Sequence, residues 1–248
     1  MKKKKVVVWE REEPSRQPAL AALSRKRIVR AALELADTDG LDAVSLRNVA
    51  SALGAGPMRL YGYVDSKEEL LDLLVDEVYG RIVAKGPIRG DLRNALHVIA
   101  RRTREISRAH PWFAALLSGR VHLGPNALAH LEASLAAIAP HFRSIDDALA
   151  ALHATNAYTI GAIQLEASEL RAERASGMKE KEWQDASWPW IERMIETGRF
   201  PTLAVVVRDA KHPPRDVEFE RGLACVLDGI SARTKSPKSP RRSRRRGS

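Results

Sequence analysis

Residues 57–62 carry side chains whose chemistry suits the base edges of DNA. Arg59 is the only side chain in this segment with paired donors, and such a pair matches the O6 and N7 acceptors of guanine. Met58 could pack on a thymine methyl group, and Gly56 and Pro57 permit a close approach of the backbone. We therefore predict that Arg59 contacts a base, with a phosphate contact as the alternative.

The residues on either side of this segment offer donors that suit phosphate groups. Ser45 lies where a helix is predicted to begin, so its hydroxyl and the free backbone N–H groups can both face an anion. Arg47 follows it, Tyr61 and Tyr63 carry phenol hydroxyls, and Lys67 lies at the start of a later helix. Phosphate contacts fix the register of a protein on a duplex. We predict that these five residues contact the DNA backbone or the edge of the groove, with core packing as the alternative for Tyr61.

A second group of positive charges, Arg25, Lys26 and Arg27, opens the first predicted helix. Positive charge is unfavourable there because it opposes the helix dipole. The placement therefore predicts that the group serves DNA phosphates, and a solvated helix end is the alternative.

These side chains need a rigid support, and the surrounding sequence predicts one. Apolar residues recur with a helical period over 28–36. Gly54 stands where the chain must turn, because glycine adopts positive φ without steric cost, and Ser66 with Glu69 forms a capping box. We predict helices over about 24–38, 45–53, 57–62 and 66–84. Helices in this order form a helix-turn-helix, which places one helix in the major groove of DNA.

Two stretches, IVRAALELADTDGLDAVSL (28–46) and VASALGAGPMRLYGYVDSKEELL (49–71), resemble the DNA-binding domain of the TetR/AcrR family of transcriptional regulators. The resemblance runs from Ser24 to about Ile82. It includes a Leu-Gly turn, a Leu-Tyr pair and a lysine before an acidic, apolar helix. One departure is Val64, where many members carry an aromatic ring.

The resemblance implies a transcriptional regulator with an N-terminal three-helix DNA-binding domain. It implies phosphate contacts for Ser45, Tyr61 and Lys67. It also implies a position in the groove for residues 55–59, which adds Ala55 to the predicted DNA-binding residues.

The rest of the chain predicts further helices and no convincing strand, so the fold class is all-α. These helices cover about 91–110, 112–117, 125–139, 144–176, 189–197 and 215–232. Residues 177–188 predict a charged loop, and residues 205–207 (VVV) could form a strand only in isolation.

The second half of the chain contains no catalytic motif that we recognise, and its histidines are scattered rather than grouped at ligand spacing. We therefore predict no enzyme, no metal and no cofactor. The segments HPWFAALL (110–117) and LGPNALAHLE (123–132) resemble the C-terminal regulatory domain of one TetR subgroup. This resemblance implies a small-molecule ligand and a homodimer formed through helices at about 145–176 and 215–232.

A mostly apolar helical pocket with a few polar groups is what a small-molecule site needs. The late helices have this composition, because small and apolar residues dominate them and a few polar residues interrupt them. The candidate pocket residues are Trp112, Phe113, Asn156, Tyr158 and Gln164. For each of them, filling the core is the alternative.

The charge of the chain is concentrated at its ends. The 248 residues carry a net charge of +10, of which residues 1–23 contribute +3 and residues 231–248 contribute +8, so the remainder is near neutral at −1. The basic composition alone is therefore poor support for DNA binding.

The single cysteine, Cys225, excludes an internal disulfide, and no apolar run reaches the roughly 20 residues that span a bilayer. We expect a cytoplasmic, nucleoid-associated protein with no membrane partner.

We divide the chain into a flexible basic arm (1–23), a helix-turn-helix domain (24–84), a helical regulatory and dimerisation domain (85–232) and a disordered basic tail (233–248). The arm either contacts DNA or is a solvated leader. The function hypothesis is a repressor that a small-molecule inducer releases from a near-palindromic DNA operator. An activator, a regulator without a ligand and a nucleoid-type DNA organiser remain as alternatives.

Overall fold

The computed structural model describes residues 7–14, 23–117, 122–211 and 213–234. Every regular element in these ranges is a helix, which confirms the predicted all-α class. No helix in this part of the chain is long and apolar enough to cross a membrane. Residues 235–248, which include nearly all of the predicted basic tail, lie outside the described ranges.

The N-terminal part, as far as it is described, contains four α-helices, and three of them have serine N-caps. The helices are α1 (Arg25–Asp39), α2 (Leu46–Ala52), α3 (Pro57–Leu60) and α4 (Lys67–Val83). The hydroxyls of Ser24, Ser45 and Ser66 each accept the backbone N–H three residues later. Each cap satisfies one of the free N–H groups at a helix start, so the local sequence fixes where α1, α2 and α4 begin.

The core of this part is apolar and fully enclosed. Ile28 of α1, Val49 of α2 and Leu60 of α3 have no exposed surface, and Leu70 and Leu74 of α4 complete the contact. Leu60 is the buried residue of α3, so the other side of this short helix faces outward.

Part of the predicted N-terminal arm, residues 7–14, packs against the rest of the chain. Within 7–14, Val8 is 2% exposed and belongs to the core of the helix-turn-helix domain. Arg11 forms ion pairs with Asp65 and with Glu69, whose side chain is 8% exposed. This segment therefore packs against the start of α4, because an apolar side chain and a paired guanidinium hold it there. The other residues of the predicted arm, 1–6 and 15–22, lie outside the described ranges.

The described residues of the C-terminal part form seven α-helices. They are α5 (Leu92–Ala109), α6 (Phe113–Leu116), α7 (Pro125–Ile138), α8 (Ile145–Ser176), α9 (Glu180–Glu196), α10 (Pro201–Asp209) and α11 (Arg215–Thr234). Helices α5, α8 and α11 pack side by side, and α7 lies against α4, α5 and α8. Ile99, Ile138, Leu152 and Leu223 are 0–1% exposed at the centre of this second core.

A buried ion pair joins α5, α8 and α11. Arg104 is 6% exposed and donates to Glu166 at 2.8 and 2.5 Å. Its guanidinium carbon lies 4.2 Å from the ring centroid of Phe219, and Arg108 donates to the second oxygen of Glu166 at 3.0 Å. The carboxylate is thus satisfied from two arginines, as a buried charge must be.

The prediction of a charged loop over 177–188 is wrong, because α9 covers residues from Glu180 onward. The helix begins where the backbone N–H of Lys179 donates to the Glu182 carboxylate at 2.8 Å. It continues through Pro189, which the sequence analysis placed at a helix start. The residues 205–207 lie in α10 and not in a strand.

Helices α9 and α10 differ from the others because neither has a buried side chain. Three tryptophans on α9, Trp183, Trp188 and Trp190, are 61%, 47% and 56% exposed. On α10, Leu203 and Val206 are also exposed. The two helices are therefore held to the rest of the chain by half-buried side chains and by the ion pair of Glu180 with Arg215 at 2.8 Å, and not by an enclosed core.

Candidate DNA interface and regulatory site

The third helix presents an exposed face of the kind predicted for base contacts. Met58 is 80% exposed, and Pro57 and Arg59 are exposed beside it. Leu60, on the opposite side of the same turn, is fully buried. Burial of one side and exposure of the other leave the Arg59 guanidinium able to meet a ligand as large as a duplex.

A glycine turn sets the angle between α2 and α3. Gly54 has φ +62°, a conformation that residues with a Cβ rarely adopt. The backbone N–H of Ala55 donates to the carbonyl of Ala50 at 2.9 Å, which closes the turn. Ala55 is half-buried against the core, and Gly56 is exposed at the entry to α3.

The predicted phosphate donors differ in how much of each side chain is available. Arg47 and Lys67 are exposed, and Tyr61 is 48% exposed. Ser45 is half-buried and its Oγ accepts the Asn48 N–H at 3.1 Å, which leaves the hydroxyl hydrogen free to donate. Tyr63 is only 8% exposed, so packing in the core is its main role.

The basic group at the start of α1 does not act as one unit. The side chain of Arg25 donates to the carbonyls of Tyr63 at 3.2 Å and Arg11 at 2.7 Å. It therefore braces the N-terminal segment against the turn between α3 and α4 and is not a free phosphate donor. Lys26 is exposed and keeps its predicted role.

The structure does not bring the five predicted pocket residues into one site. Trp112 and Phe113 belong to the C-terminal part of the chain but pack into the N-terminal core, where they are 6% and 0% exposed. On α8, Gln164 reaches α6, donating to a backbone carbonyl at 3.4 Å, whereas Tyr158 faces α11 and donates to one there at 2.8 Å. Asn156 is half-buried. Positions 158 and 164 lie on different sides of α8, so these residues cannot line one cavity.

Tyr158 lines a crevice of about 870 Å³ between α8, α9 and α11. Its wall includes Gly161, Leu165, Glu169 and Arg215. Burial raises the pKa of the Glu169 carboxyl, and the Arg215 guanidinium at 2.8 Å acts in the opposite direction.

An aromatic cluster that the sequence analysis missed lies between α4, α6 and α7. The Tyr79 ring centroid is 5.4 Å from that of His130, 5.6 Å from that of Phe113 and 6.1 Å from that of His122. Burial raises the pKa of Tyr79 to about 12. Burial, together with the charge of Arg102, lowers the pKa of His130 to about 4, so this imidazole is neutral at pH 7.

The rings of Tyr79 and His130 are only partly enclosed, since both side chains are half-buried. Their polar atoms are therefore not among the buried side-chain atoms that lack a hydrogen-bond partner in the described residues. The two histidines stand eight positions apart in sequence, and only the fold places them around one tyrosine.

A carboxylate anchors α7 to α4 beside this cluster. Asp76 is 5% exposed and accepts the backbone N–H groups of Asn126 and Ala127, each at 2.9 Å. These N–H groups belong to the first turn of α7, where a negative charge is favourable. Gly124 permits the approach, since a Cβ there would lie 2.2 Å from an Asp76 oxygen.

Comparison with known families agrees with this architecture. Residues 28–74 match the family described as "Bacterial regulatory proteins, tetR family", and residues 86–234 match "Tetracyclin repressor-like, C-terminal domain". The chain belongs to the TetR family of bacterial transcriptional regulators. The predicted resemblance is thereby confirmed for both halves, and the TetR family is one of regulators and not of enzymes.

Relatives within the TetR family cover most of the chain. The HTH-type transcriptional repressor DrrR1 of Streptomyces coeruleorubidus is 35% identical over 226 residues, which are 90% of this chain and 83% of DrrR1. The tetracycline repressor class A from transposon 1721 of Escherichia coli is 25% identical over 228 residues, 86% of this chain and 93% of that protein.

A solved structure has the same overall arrangement. ActR, a TetR family protein of Streptomyces coelicolor, in complex with actinorhodin has a TM-score of 0.73 at 27% identity, covering 86% of this chain and 97% of that chain. Within the residues that the structure describes here, no group of three His, Cys, Asp or Glu side chains could hold a metal ion.

Proposed function

We propose that this TetR family protein is a repressor that binds a near-palindromic DNA operator as a homodimer and leaves it when a small molecule binds the C-terminal domain. It acts on the bacterial chromosome in the cytoplasm and catalyses no reaction. The observation that carries the proposal is the exposed face of α3, with Met58 80% exposed and Arg59 beside it, on a braced helix-turn-helix. Its similarity to a named repressor, DrrR1, supports the direction of regulation.

Selection of bound sequences from a random DNA pool tests the DNA-binding part. We expect an inverted repeat whose half-sites lie about one helical turn apart. The Arg59→Ala variant should lose preference at one position of each half-site, by about 1–3 kcal/mol per bidentate contact. Met58→Ala is a matched control on the same helix, since it changes an exposed side chain without removing a charged donor. Sequence preference that is the same in wild type and Arg59→Ala would reject the role of Arg59.

Deletion of the gene, followed by measurement of the neighbouring transcripts, tests the sign of regulation. A rise in transcripts from promoters that contain the selected repeat supports a repressor. A fall would instead make the protein an activator.

The homodimer is inferred from the exposed sides of α8 and α11. Gly161 on α8 and Cys225 and Gly229 on α11 are exposed and small, so two copies of these helices could approach closely and form a four-helix bundle. Two-fold symmetry would place the same helix of each copy near the axis.

The single cysteine offers a direct test, because no other thiol can react. Mild oxidation of the full chain should give a disulfide-linked dimer through Cys225, and Cys225→Ser should give none. A monomer by sedimentation at micromolar concentration would contradict the dimer.

The ligand site that we propose is the aromatic cluster around Tyr79. Its rings suit an aromatic molecule, and the half-buried Tyr79 hydroxyl and His130 ring offer hydrogen-bonding atoms to polar groups of that molecule. Because His130 stays neutral, a neutral polar group suits it better than an ion.

The proposed ligand site is linked to the DNA-binding domain, because Tyr79 belongs to α4, which also carries the Asp76 contact to α7. A ligand here could favour one conformer of the DNA-binding domain through its different affinity for the two states. ActR holds actinorhodin in its solved complex, which supports a small-molecule ligand.

Thermal-shift measurement with actinorhodin and a panel of aromatic compounds tests this site. Compounds that raise the melting temperature of wild type should raise it less in Tyr79→Phe and His130→Phe. Leu165→Ala, in the wall of the crevice between α8, α9 and α11, is the control for the other cavity. Equal stabilisation of wild type and both aromatic-cluster variants would move the ligand elsewhere.

A further inference from the structure

The carboxylate of Asp37, near the end of α1, binds two side chains from the C-terminal part of the chain. One Asp37 oxygen lies 2.7 Å from Nδ1 of His110 and 2.6 Å from Nε1 of Trp112. His110 and Trp112 are 4% and 6% exposed. The other ring nitrogen of His110 lies 2.8 Å from the guanidinium of Arg81 on α4.

The partners fix the direction of every hydrogen bond in this group. A guanidinium carries only donors, so Arg81 donates and Nε2 of His110 accepts. The ring proton of the neutral imidazole is then on Nδ1, from which it is donated to Asp37. Trp112 is also only a donor. Asp37 thus accepts two hydrogen bonds on one oxygen, and charge-assisted bonds of this kind are short and directional.

Three separate elements meet at this one oxygen. Asp37 belongs to the helix that supports α2 and α3, whereas His110 ends α5 and Trp112 leads into α6. The ring of Trp112 lies 6.2 Å from that of Phe113, and Phe113 contacts Tyr79 of the aromatic cluster. A displacement of α6 would therefore act on the Asp37 contacts directly.

We propose that Asp37, His110 and Trp112 are positioning residues that hold the DNA-binding domain at a fixed angle to the C-terminal domain. In a dimer this angle sets the separation of the two α3 helices. These residues therefore determine which spacing between operator half-sites the protein accepts, although none of them touches DNA. The inference rests on the proposed homodimer and its palindromic operator.

Operator duplexes that differ in the spacing between their half-sites test this proposal. Inserting one base pair between half-sites rotates one relative to the other by about one-tenth of a turn and moves it by about 3.4 Å. A dimer with a fixed angle cannot follow this change. We expect the wild-type full chain to lose about tenfold or more in affinity for operator duplexes with one base pair added or removed. In Asp37→Ala, the loss should fall to about threefold or less, with the same half-site sequence preference.

Two further variants separate positioning from folding. Trp112→Phe keeps an aromatic ring but removes one of the two donors, so the spacing penalty should be intermediate. Asp39→Ala is the matched control, because Asp39 is exposed two positions away on the same helix, and it should keep the wild-type penalty.

Three results of the duplex-binding measurements would each overturn the inference. A wild-type penalty that persists in Asp37→Ala and in Trp112→Phe would overturn the inference. So would an equal loss of affinity at every spacing, because that result indicates only a weakened fold. If wild type itself shows no preference for an inverted repeat, the proposed operator and homodimer are wrong, and this inference is overturned with them.

Discussion

His130 should make the protein sensitive to mild acid. In the native state its pKa is about 4, because burial and the nearby Arg102 charge disfavour the imidazolium, against an ordinary value of 6.5. Between these two pH values the unfolded chain binds a proton that the native chain does not. The free energy of unfolding therefore falls as the pH falls from 6.5 towards 4.

The size of the effect follows from the two pKa values. Each tenfold rise in proton concentration between them lowers the free energy of unfolding by about 1.4 kcal/mol. Relative to pH 7.5, the contribution of His130 at pH 5 is a loss of about 2 kcal/mol, rising to about 3 kcal/mol below pH 4. This is a large fraction of the 5–15 kcal/mol that is typical of folded domains.

Urea unfolding at pH 7.5 and pH 5, followed by circular dichroism, measures this loss. The His130→Phe variant keeps a ring against Tyr79 but cannot bind a proton. Its decrease in stability between the two pH values should be smaller than that of wild type by about 2 kcal/mol. Tyr79→Phe is the control, since it preserves His130 and should retain the wild-type decrease. An equal decrease in wild type and His130→Phe would refute the reasoning.

Three more predictions follow from the contacts described above. Gly124→Ala should lower the free energy of unfolding by about 1–3 kcal/mol, because its Cβ would lie 2.2 Å from an Asp76 oxygen. Gly56→Ala is the matched control in urea unfolding, because Gly56 also precedes a proline at a helix start but has open space, so its stability should not fall. Gly54→Ala should cost about 1–2 kcal/mol through its positive φ and weaken operator binding in a gel-shift assay. Removal of residues 233–248 should flatten the salt dependence of operator affinity without changing sequence preference, and a lost preference would contradict this.

Local signals explain what the sequence predicted well. The serine caps at Ser45 and Ser66 and the turn at Gly54 depend on neighbouring residues, so the bounds of α2, α3 and α4 came out within one or two residues. Pro189 misled the prediction of α9 for the same reason. Proline favours a helix start locally, but here it lies within a helix whose start is set ten residues earlier at Lys179.

Local signals do not predict contacts between residues that are far apart in sequence. Arg104 and Glu166 are 62 positions apart, and Asp37 and His110 are 73 apart. Each of these side chains looks like an ordinary surface residue in its own helix. The periodicity of one helix says which side is apolar, but it does not say which other helix lies opposite a given polar residue.

The exposed helix α9 decides what tryptophan fluorescence can report in this protein. Of the five tryptophans in the sequence, the three on α9 are about half or more exposed, whereas Trp112 is nearly covered. Emission from the native protein should already resemble that of indole in water, so its wavelength will change little on denaturation. The same indoles should shift to the blue when another surface covers them, which makes the intrinsic emission a label-free probe of what docks on α9.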